Sequence, residues 1–462
     1  MISVHQCFDP LKACIVGRSY PPEFYAEIEN TKVRSAMERV AIETEEDYQK
    51  VITKLKEFGV KVLRLDVSDN IDDYRNNDGV VDVPPPMCPR DYSAMVGDTF
   101  YMPGPNYGEN FDVHNLYYSM LNANPTWEKG EVQERRERTL AKYFEDLLHP
   151  GRPLSPEASL EMFRSRRGMG AQGLGFLQGI DREELEQVII AAETNTIGSN
   201  NKFPSNKRYY PWTSVKRWLD YNKVPIVYDQ YINSAACWRL GKDLFFNYVN
   251  IINKLNAESF LKKWRRLFPD YRVHGVDTPG HGDGNMHPVK EGLIIANGHE
   301  SQYKDLYPGW EIVQIEESGW RKVKEFRKMK SKNKGRWWIK GEEDNQDLVD
   351  YIDSWLGHWV TYVEETVFDV NVLPLDEKNC IVNGYNKKVF DAFERHGVTP
   401  HIINFRHRYF WDGGLHCITS DLHREGEQKD LFPGHTEGYS RTAINTRRQY
   451  LDGTYRLGSL KH

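Results

Sequence analysis

The chain repeats one local plan: a strand, a turn, a second strand, a helix and a third strand. The plan is clearest in residues 368–405. There, Phe368–Pro374 and Cys380–Val382 are rich in β-forming residues and flank a turn. Asn386–His396 then has helical periodicity, and Gly397 is placed to end this helix in the left-handed conformation. A unit of this kind predicts a small mixed sheet with one helix packed on it.

Further copies of the plan run along the chain. The first has a strand at Ala13–Gly17, a helix at Glu45–Phe58 and a strand at Lys61–Val67. Other copies occupy Trp238–Val276 and, more weakly, Gly292–Ile315. Self-similarity at this scale indicates a radial or stacked architecture. The length of 462 residues, taken alone, would suggest two or three separate domains.

One long stretch, 105–223, does not follow the plan and is predicted to be an insertion. It contains a charged helix, Glu131–Leu147, and a glycine-rich run at 168–175. The glycines match a dinucleotide-binding spacing, but a basic segment precedes them where that motif needs a strand. We therefore expect a loop or lid. The aromatic run Tyr209–Trp212 predicts that the insertion packs on the body or on the partner chain of a homo-oligomer.

Composition excludes several classes of partner. Hydrophobic residues make up 39% and aromatic residues 13%, enough for a large core. The net charge of -6 does not favour nucleic acid, and no apolar run is long enough to cross a membrane. The N-terminal residues lack the pattern of a signal peptide. Six scattered cysteines without paired spacing predict reduced thiols and a cytoplasmic protein.

Three separate runs carry the residue types of covalent catalysis. Cys417 ends the run Gly-Gly-Leu-His-Cys, in which the glycines allow a tight turn around the thiol. A thiol becomes a strong nucleophile when a nearby cation or histidine favours the thiolate. His281 and Asp283 lie in a Gly-His-Gly-Asp-Gly run, and Asp91 lies in a Cys-Pro-Arg-Asp-Tyr run before an apparent strand at Ser93–Met102. These residues predict a thiol nucleophile with an acid-base partner.

Six motifs in a fixed order resemble the amidinotransferase family of the pentein, or guanidino-modifying, superfamily, and within it the glycine amidinotransferases. They are Met87–Tyr92, Tyr271–His274, His281-x-Asp283, Gly292–Asn297, Asn371–Lys378 and Gly413–Cys417. The resemblance implies an α/β fold, a pentein α/β-propeller of five ββαβ units around a central active-site channel. It also implies a single domain spanning residues 1–462, with 105–223 inserted into it.

The resemblance further implies a reaction between two small molecules, a guanidino donor and an amine acceptor. Asp91 and Asp283 would clamp the guanidinium nitrogens, and Cys417 would attack the carbon. His281 would protonate the leaving amine and then deprotonate the acceptor, which takes the amidino group from the cysteine thioether. His416 would support the nucleophile, although its side chain is expected to point elsewhere if its segment is extended.

Several positions depart from the family pattern. Family members carry an acid that orients the histidine, and the matching residue here is Ala236, so that the nearest acid is Asp229. Glu300 occupies the position of an arginine that binds the donor carboxylate. Glu364 and Glu365 align with two serines of the same pocket. An acidic pocket repels an amino-acid carboxylate and attracts an amine, so we expect altered substrate selection.

Other functions remain open from the sequence. If water attacks the thioether, the protein is a guanidino hydrolase of the same fold. The missing orienting acid also allows a catalytically silent pentein that only binds ligands. His281 and Asp283, with His287 or a distant histidine, could instead ligate iron or another metal. No accompanying motif supports that choice, and no cofactor is expected.

Overall fold

Five small sheets form the architecture of the described chain. The computed structural model describes residues 1–68, 85–102, 211–228, 232–247, 264–276, 281–297, 303–304, 306–315, 339–352, 368–411, 413–435 and 438–439. In every sheet, two strands pair antiparallel and a further strand pairs parallel with the second of them. This is the pairing that a ββαβ unit produces, so the predicted five-unit fold is confirmed.

The five units follow one another along the chain. Unit 1 contains β15 (Thr419–Arg424), β1 (Leu11–Val16) and β2 (Lys61–Arg64), and unit 2 contains β3 (Ala94–Val96), β4 (Thr99–Met102) and β5 (Ile226–Tyr228). Unit 3 contains β6 (Cys237–Leu240), β7 (Asp243–Asn247), β8 (Arg272–Val276) and the added strand β16 (Gly438–Tyr439). Unit 4 contains β9 (Met286–Lys290), β10 (Leu293–Ala296) and β11 (Glu311–Gln314), and unit 5 contains β12 (Leu373–Asp376), β13 (Asn379–Val382) and β14 (Thr399–Ile402).

Unit 1 joins the two ends of the described chain. β1 pairs antiparallel with β15, from Leu11 opposite Arg424 to Val16 opposite Thr419. The first strand of this unit therefore comes from the C-terminal region, directly after Cys417. This pairing ties the segment that carries Cys417 to the N-terminal strand.

In the described residues, units 1, 2 and 5 each have a long helix between their second and third strands. These helices are α1 (Thr31–Glu57) in unit 1, α2 (Thr213–Tyr221) in unit 2 and α4 (Lys387–His396) in unit 5. Two further helices are α3 (Gln346–Tyr351) and α5 (Arg408–Trp411). The α4 prediction is confirmed, because Asn386 caps its first turn and Gly397 ends it with φ 66°.

α1 begins earlier than the sequence predicted. The Asn30 side chain accepts hydrogen bonds from the backbone N–H groups of Lys32 and Val33 and so caps the helix. From there, buried residues recur at helical spacing, as at Val33, Met37 and Val40. The predicted start at Glu45 was wrong because the apolar face continues through the preceding turns.

Two predicted strands are shorter in the structure. Ser93–Met102 is a hairpin of β3 and β4, with a turn at Gly97. In unit 5, pairing begins at Leu373, whereas the residues before it form a turn in which the Asn371 N–H bonds the Phe368 carbonyl at 3.2 Å. This turn directs the Asn371 side chain towards Cys417.

α2 belongs to unit 2 although it lies inside the predicted insertion at 105–223. Trp212, Val215 and Leu219 are buried in the core of this unit, near Phe100. The Asp66 carboxylate accepts from the Ser214 N–H at 2.7 Å and fixes the start of the helix. Residues 103–210, which include the predicted helix Glu131–Leu147 and the glycine-rich run, lie outside the described residues.

A buried ion cluster links units 1, 2 and 3. Asp421 on β15 contacts Arg90 at 2.9 Å, Arg239 at 3.1 Å and Arg424 at 3.0 Å. None of the four side chains is more than 1% exposed. A carboxylate at this depth is stable because several guanidinium groups compensate its charge. The cluster fixes β15, and with it the segment that carries Cys417.

The described residues bear on two expectations from the sequence: reduced thiols and no membrane-spanning segment. All six cysteines are buried, and none forms a disulfide in the described structure. Within the described ranges, no helix combines the length and apolarity that a membrane crossing requires.

Candidate active site

Cys417 lies in a tight turn at the end of unit 5 and the start of β15. The Ile418 N–H bonds the Gly414 carbonyl at 3.1 Å, and the Thr419 N–H bonds the His416 carbonyl at 3.1 Å. The side chain of Arg90 donates to the carbonyls of His416 and Thr419 at 2.7 and 2.8 Å. Through Arg90, the buried ion cluster therefore fixes the backbone of this turn. Cys417 is 1% exposed.

Asn371 contacts the thiol directly, and the sequence analysis did not single it out. Its Nδ2 donates to Cys417 Sγ at 2.9 Å, while its Oδ1 accepts from the backbone N–H groups of His416 and Cys417 at 2.8 and 3.2 Å. A Cβ at Gly414 would lie 2.4 Å from Asn371 Oδ1. The second glycine of the Gly-Gly pair therefore makes room for this amide.

Asp283 approaches the thiol from a short 3-10 turn, Gly282–Gly284. Its Oδ2 lies 3.5 Å from Cys417 Sγ and 2.7 Å from His416 Nδ1. A Cβ at Gly282 would lie 2.0 Å from the ring of Trp238. The glycine between His281 and Asp283 is therefore required by the packing of the turn against Trp238.

Asp91 and His281 form a second part of the site. Asp91 ends the 3-10 turn Pro89–Asp91, and its Oδ1 lies 3.9 Å from His281 Nδ1. The Asn285 side chain donates to the His281 carbonyl at 2.7 Å and fixes the backbone there. The imidazole of His281 is 36% exposed. This histidine can exchange protons with solvent while it stays beside a carboxylate.

Both candidate carboxylates are held in surroundings that disfavour their charge. The pKa of Asp91 is raised to about 7, chiefly by burial; His281 opposes this shift and the nearby Asp283 contributes to it. Burial also raises the pKa of Asp283, with His281 and Arg90 opposing. In each residue Oδ1 is buried and has no hydrogen-bond partner among the described residues. Two such oxygens together provide the acceptors for a cationic ligand.

His416 lies in the site, contrary to the expectation that it would point elsewhere. That expectation assumed an extended segment, whereas residues 415–418 form turns that direct the ring towards Asp283. Burial lowers the pKa of His416 well below its usual range, and the positive charge of Arg90 adds to the shift. The ring packs edge-on against His287, with centroids 4.3 Å apart. His416 is therefore a neutral hydrogen-bonding partner of Asp283.

The remaining predicted site residues are not all described. Ala236 is buried, and its N–H bonds Asn233 Oδ1 at 2.9 Å, so this position supplies no carboxylate. Asp229, Glu300, Glu364 and Glu365 lie outside the described residues. The acidic substrate pocket inferred from the last three stays a prediction.

A grouping with metal-ligand character occurs away from this site. In the described part of the chain, ligand atoms of Asp243, His274 and His435 lie within 4.8 Å of one another in unit 3. Asp243 also pairs with Arg272, at 2.6 Å between Nη2 and Oδ2. The guanidinium already balances the carboxylate charge, so the cluster is explained as a hydrogen-bonded network.

The chain has the strand pairing of five ββαβ units, as expected for the pentein fold. In sequence, it is 26% identical over 206 residues to the mitochondrial glycine amidinotransferase of Xenopus laevis. This match covers 43% of the chain and 40% of the relative. A 221-residue match at 22% identity relates it to the L-arginine:L-lysine amidinotransferase of Pseudomonas savastanoi pv. phaseolicola, over 47% of this chain and 51% of that protein. These matches confirm the resemblance to amidinotransferases.

The chain thus matches about half or less of the length of these curated relatives. Among solved structures, it is similar to an amidinotransferase of the saxitoxin biosynthetic pathway from Microseira wollei, with a TM-score of 0.48 and 17% identity over 93% of this chain and 99% of that one. The inosamine-phosphate amidinotransferase of Streptomyces griseus gives a TM-score of 0.46 with the same identity and coverage. No protein-family model matches the chain.

Proposed function

We propose that the protein is an amidinotransferase-like enzyme that carries the amidino group covalently on Cys417. The observation that supports this most directly is the pair of buried oxygens, Asp91 Oδ1 and Asp283 Oδ1, which accept no hydrogen bond from the described residues. A guanidinium supplies both the positive charge and the N–H donors that these oxygens lack. Cys417 Sγ, 3.5 Å from Asp283 Oδ2, then lies beside the bound group.

The first half of the reaction forms a thioether. The guanidinium binds Asp91 and Asp283, and its charge favours loss of the Cys417 proton to His281. The thiolate attacks the guanidinium carbon, a C–S bond forms, and the C–N bond to the leaving amine breaks. His281 returns the proton to the nitrogen of that amine. The product remains on the enzyme as an S-amidino group.

The second half reverses these roles. The acceptor amine enters where the first amine left, and neutral His281 removes a proton from it as the nitrogen attacks the amidino carbon. The C–S bond breaks and the thiolate is regenerated. Asp91, 3.9 Å from His281 Nδ1, stabilises the imidazolium whenever His281 holds the proton.

Substrate choice is expected to differ from that of the arginine-using relatives. By the resemblance, Glu300, Glu364 and Glu365 align with residues that bind a carboxylate in those relatives. Like charges in a partly dry pocket repel by kcal/mol-scale energies. We therefore expect donors with an amine at that end, such as agmatine or polyamine guanidines, to react better than arginine. Efficient transfer from arginine to glycine would contradict this choice of substrate class.

A product assay tests the reaction itself. The purified protein is incubated with agmatine or arginine, with and without an amine acceptor, and the products are identified by mass spectrometry. Formation of a new guanidine that depends on the acceptor supports transfer. Urea or ammonia release without an acceptor would identify a guanidino hydrolase, and absence of turnover with every donor would favour a silent binding protein.

A further inference from the structure

We infer that Asn371 is a further catalytic residue, whose side-chain amide holds the sulfur of Cys417 in its thiolate form. The inference rests on the proposed function, in which Cys417 is the nucleophile. Nδ2 lies 2.9 Å from Sγ, well within hydrogen-bond range for a sulfur acceptor. An N–H donor interacts more strongly with an anionic acceptor than with a neutral one, so this contact favours the thiolate over the thiol.

The surroundings of Asn371 determine which end of its amide faces the sulfur. Oδ1 accepts from two backbone N–H groups, those of His416 and Cys417. Nδ2 also lies 3.4 Å from the Asp283 carbonyl. If the amide were flipped, Nδ2 would face two backbone donors and Oδ1 would face this carbonyl, so these contacts would become unfavourable. The hydrogen-bond network therefore fixes Nδ2 as the group that points at the nucleophile.

The amide is also held rigidly from behind. Asn371 is fully buried, and its N–H bonds the Phe368 carbonyl at 3.2 Å. Asn383 Nδ2 donates to the carbonyls of Phe368 and Asn371 at 2.8 and 3.0 Å. A donor fixed before the charge develops stabilises that charge without reorganisation, which is the condition for an electrostatic contribution to catalysis.

Asn371 and Asp283 act on the thiol in opposite directions. The Asp283 carboxylate accepts the S–H and so favours the protonated form. When a guanidinium binds Asp283, its positive charge offsets the carboxylate charge that favours the thiol, and the amide of Asn371 remains beside the sulfur. The pair would keep the thiol less reactive in the empty site and more nucleophilic once a substrate is bound.

The test measures ionisation of Cys417 directly, apart from amidino transfer. Thiolate absorbance in the ultraviolet is titrated against pH. For the wild type and each variant, the signal of the same protein carrying Cys417→Ala is subtracted, so that only the signal of Cys417 remains. Asn371→Asp keeps an oxygen for the two backbone N–H groups but removes the donor. Asn371→Ala removes the donor without adding charge. Asn404→Asp, an exposed position where the oxygen still faces Arg408, controls for the added charge.

A third variant reaches the same contact without changing Asn371. A Cβ at Gly414 would lie 2.4 Å from Asn371 Oδ1 and 2.8 Å from its Cβ, so Gly414→Ala displaces the amide. The backbone at Gly414 does not have a positive φ, so alanine adds no backbone strain there. This variant keeps the test valid if Asn371→Ala fails to fold.

The expected result is a titration midpoint that moves to higher pH by about one unit or more in Asn371→Asp, Asn371→Ala and Gly414→Ala, and not in Asn404→Asp. At a fixed pH below the midpoint, the thiolate signal would then fall about tenfold. An unchanged midpoint in the folded alanine variants would overturn the inference, even if activity is lost. A shifted midpoint in a protein that transfers no amidino group would support the inference and contradict the proposed function.

Discussion

Two fully buried aspartates show how differently one side chain is used in this fold. Asp421 contacts three arginines and is 0% exposed. Asp283 is also 0% exposed, but its carboxylate contacts the neutral ring of His416 and the thiol of Cys417. Arginines compensate the carboxylate charge at Asp421, whereas no arginine contacts the carboxylate of Asp283 among the described residues.

The pKa shifts follow this difference. Burial would raise the pKa of Asp421, but Arg424, Arg90 and Arg239 lower it well below its usual range. At Asp283 burial prevails and the pKa is raised. A buried carboxylate that the fold itself compensates holds the structure together, whereas an uncompensated one indicates a site for a cationic ligand.

The largest effect is expected when the compensated aspartate is changed. Asp421→Asn would leave three buried guanidinium groups without their anion, which costs about 3–5 kcal/mol of folding free energy. That is a large fraction of the stability of a typical domain. Chemical denaturation, or the yield of folded protein, measures the loss. Stability equal to that of the wild type would show that the arginines do not depend on Asp421.

Asp283→Asn should affect function and spare the fold. The variant keeps the shape of the side chain and removes an uncompensated buried charge, so the denaturation midpoint should equal or exceed that of the wild type. The guanidinium loses one anionic partner, and kcat/KM for the donor should fall about hundredfold or more. A variant that unfolds as Asp421→Asn does would remove the distinction between the two aspartates.

The smallest effect is expected for Asp91→Asn, which should be more stable than the wild type by an amount that depends on pH. Burial raises its pKa to about 7, above the ordinary value of 3.8, so the folded protein binds the proton more tightly than the unfolded chain. The contribution of Asp91 to stability is therefore fully present below about pH 4 and is lost as the pH rises to about 7. Asparagine does not titrate, so it does not lose stability in this way as the pH rises.

At about pH 8, Asp91→Asn should thus be more stable than the wild type by about 1–3 kcal/mol, and the difference should shrink towards pH 4. Thermal unfolding of both proteins across this pH range measures it. An excess stability that does not change with pH would show that the Asp91 carboxylate is not strained by burial. The same variant should bind guanidines weakly, which separates stability from function.

The sequence predicts local structure well where caps and periodicity agree. Asn386 and Gly397 bracket α4, and both ends of that helix follow from the residue types. The pairing of β1 with β15 was not predictable in this way, because it joins segments at opposite ends of the chain. The strand predicted at Phe368–Pro374 is wrong before Leu373, because β-rich residues there form a turn that only the hydrogen bonding shows.

The same limit applies to the site. Cys417, His281, Asp91 and Asp283 stand out because their motifs combine reactive side chains with glycines. Asn371 lies within a recognised motif, but asparagine has many structural roles, and its contact with Sγ depends on a turn that the sequence did not reveal. His416 is expected to point elsewhere only if its segment is extended, because side chains alternate along a strand, whereas a turn places it beside Asp283.

Intact-mass analysis of the protein after incubation with candidate guanidines tests the central claim most directly. The wild-type protein should gain the mass of one amidino group on Cys417, and an amine acceptor should remove it. Cys417→Ala should gain nothing and should lose transfer activity by about 10⁴-fold or more, while Cys380→Ala, which changes a buried thiol in the core of unit 5, should behave as the wild type. An adduct that persists in Cys417→Ala, or transfer that continues in that variant, would contradict the account.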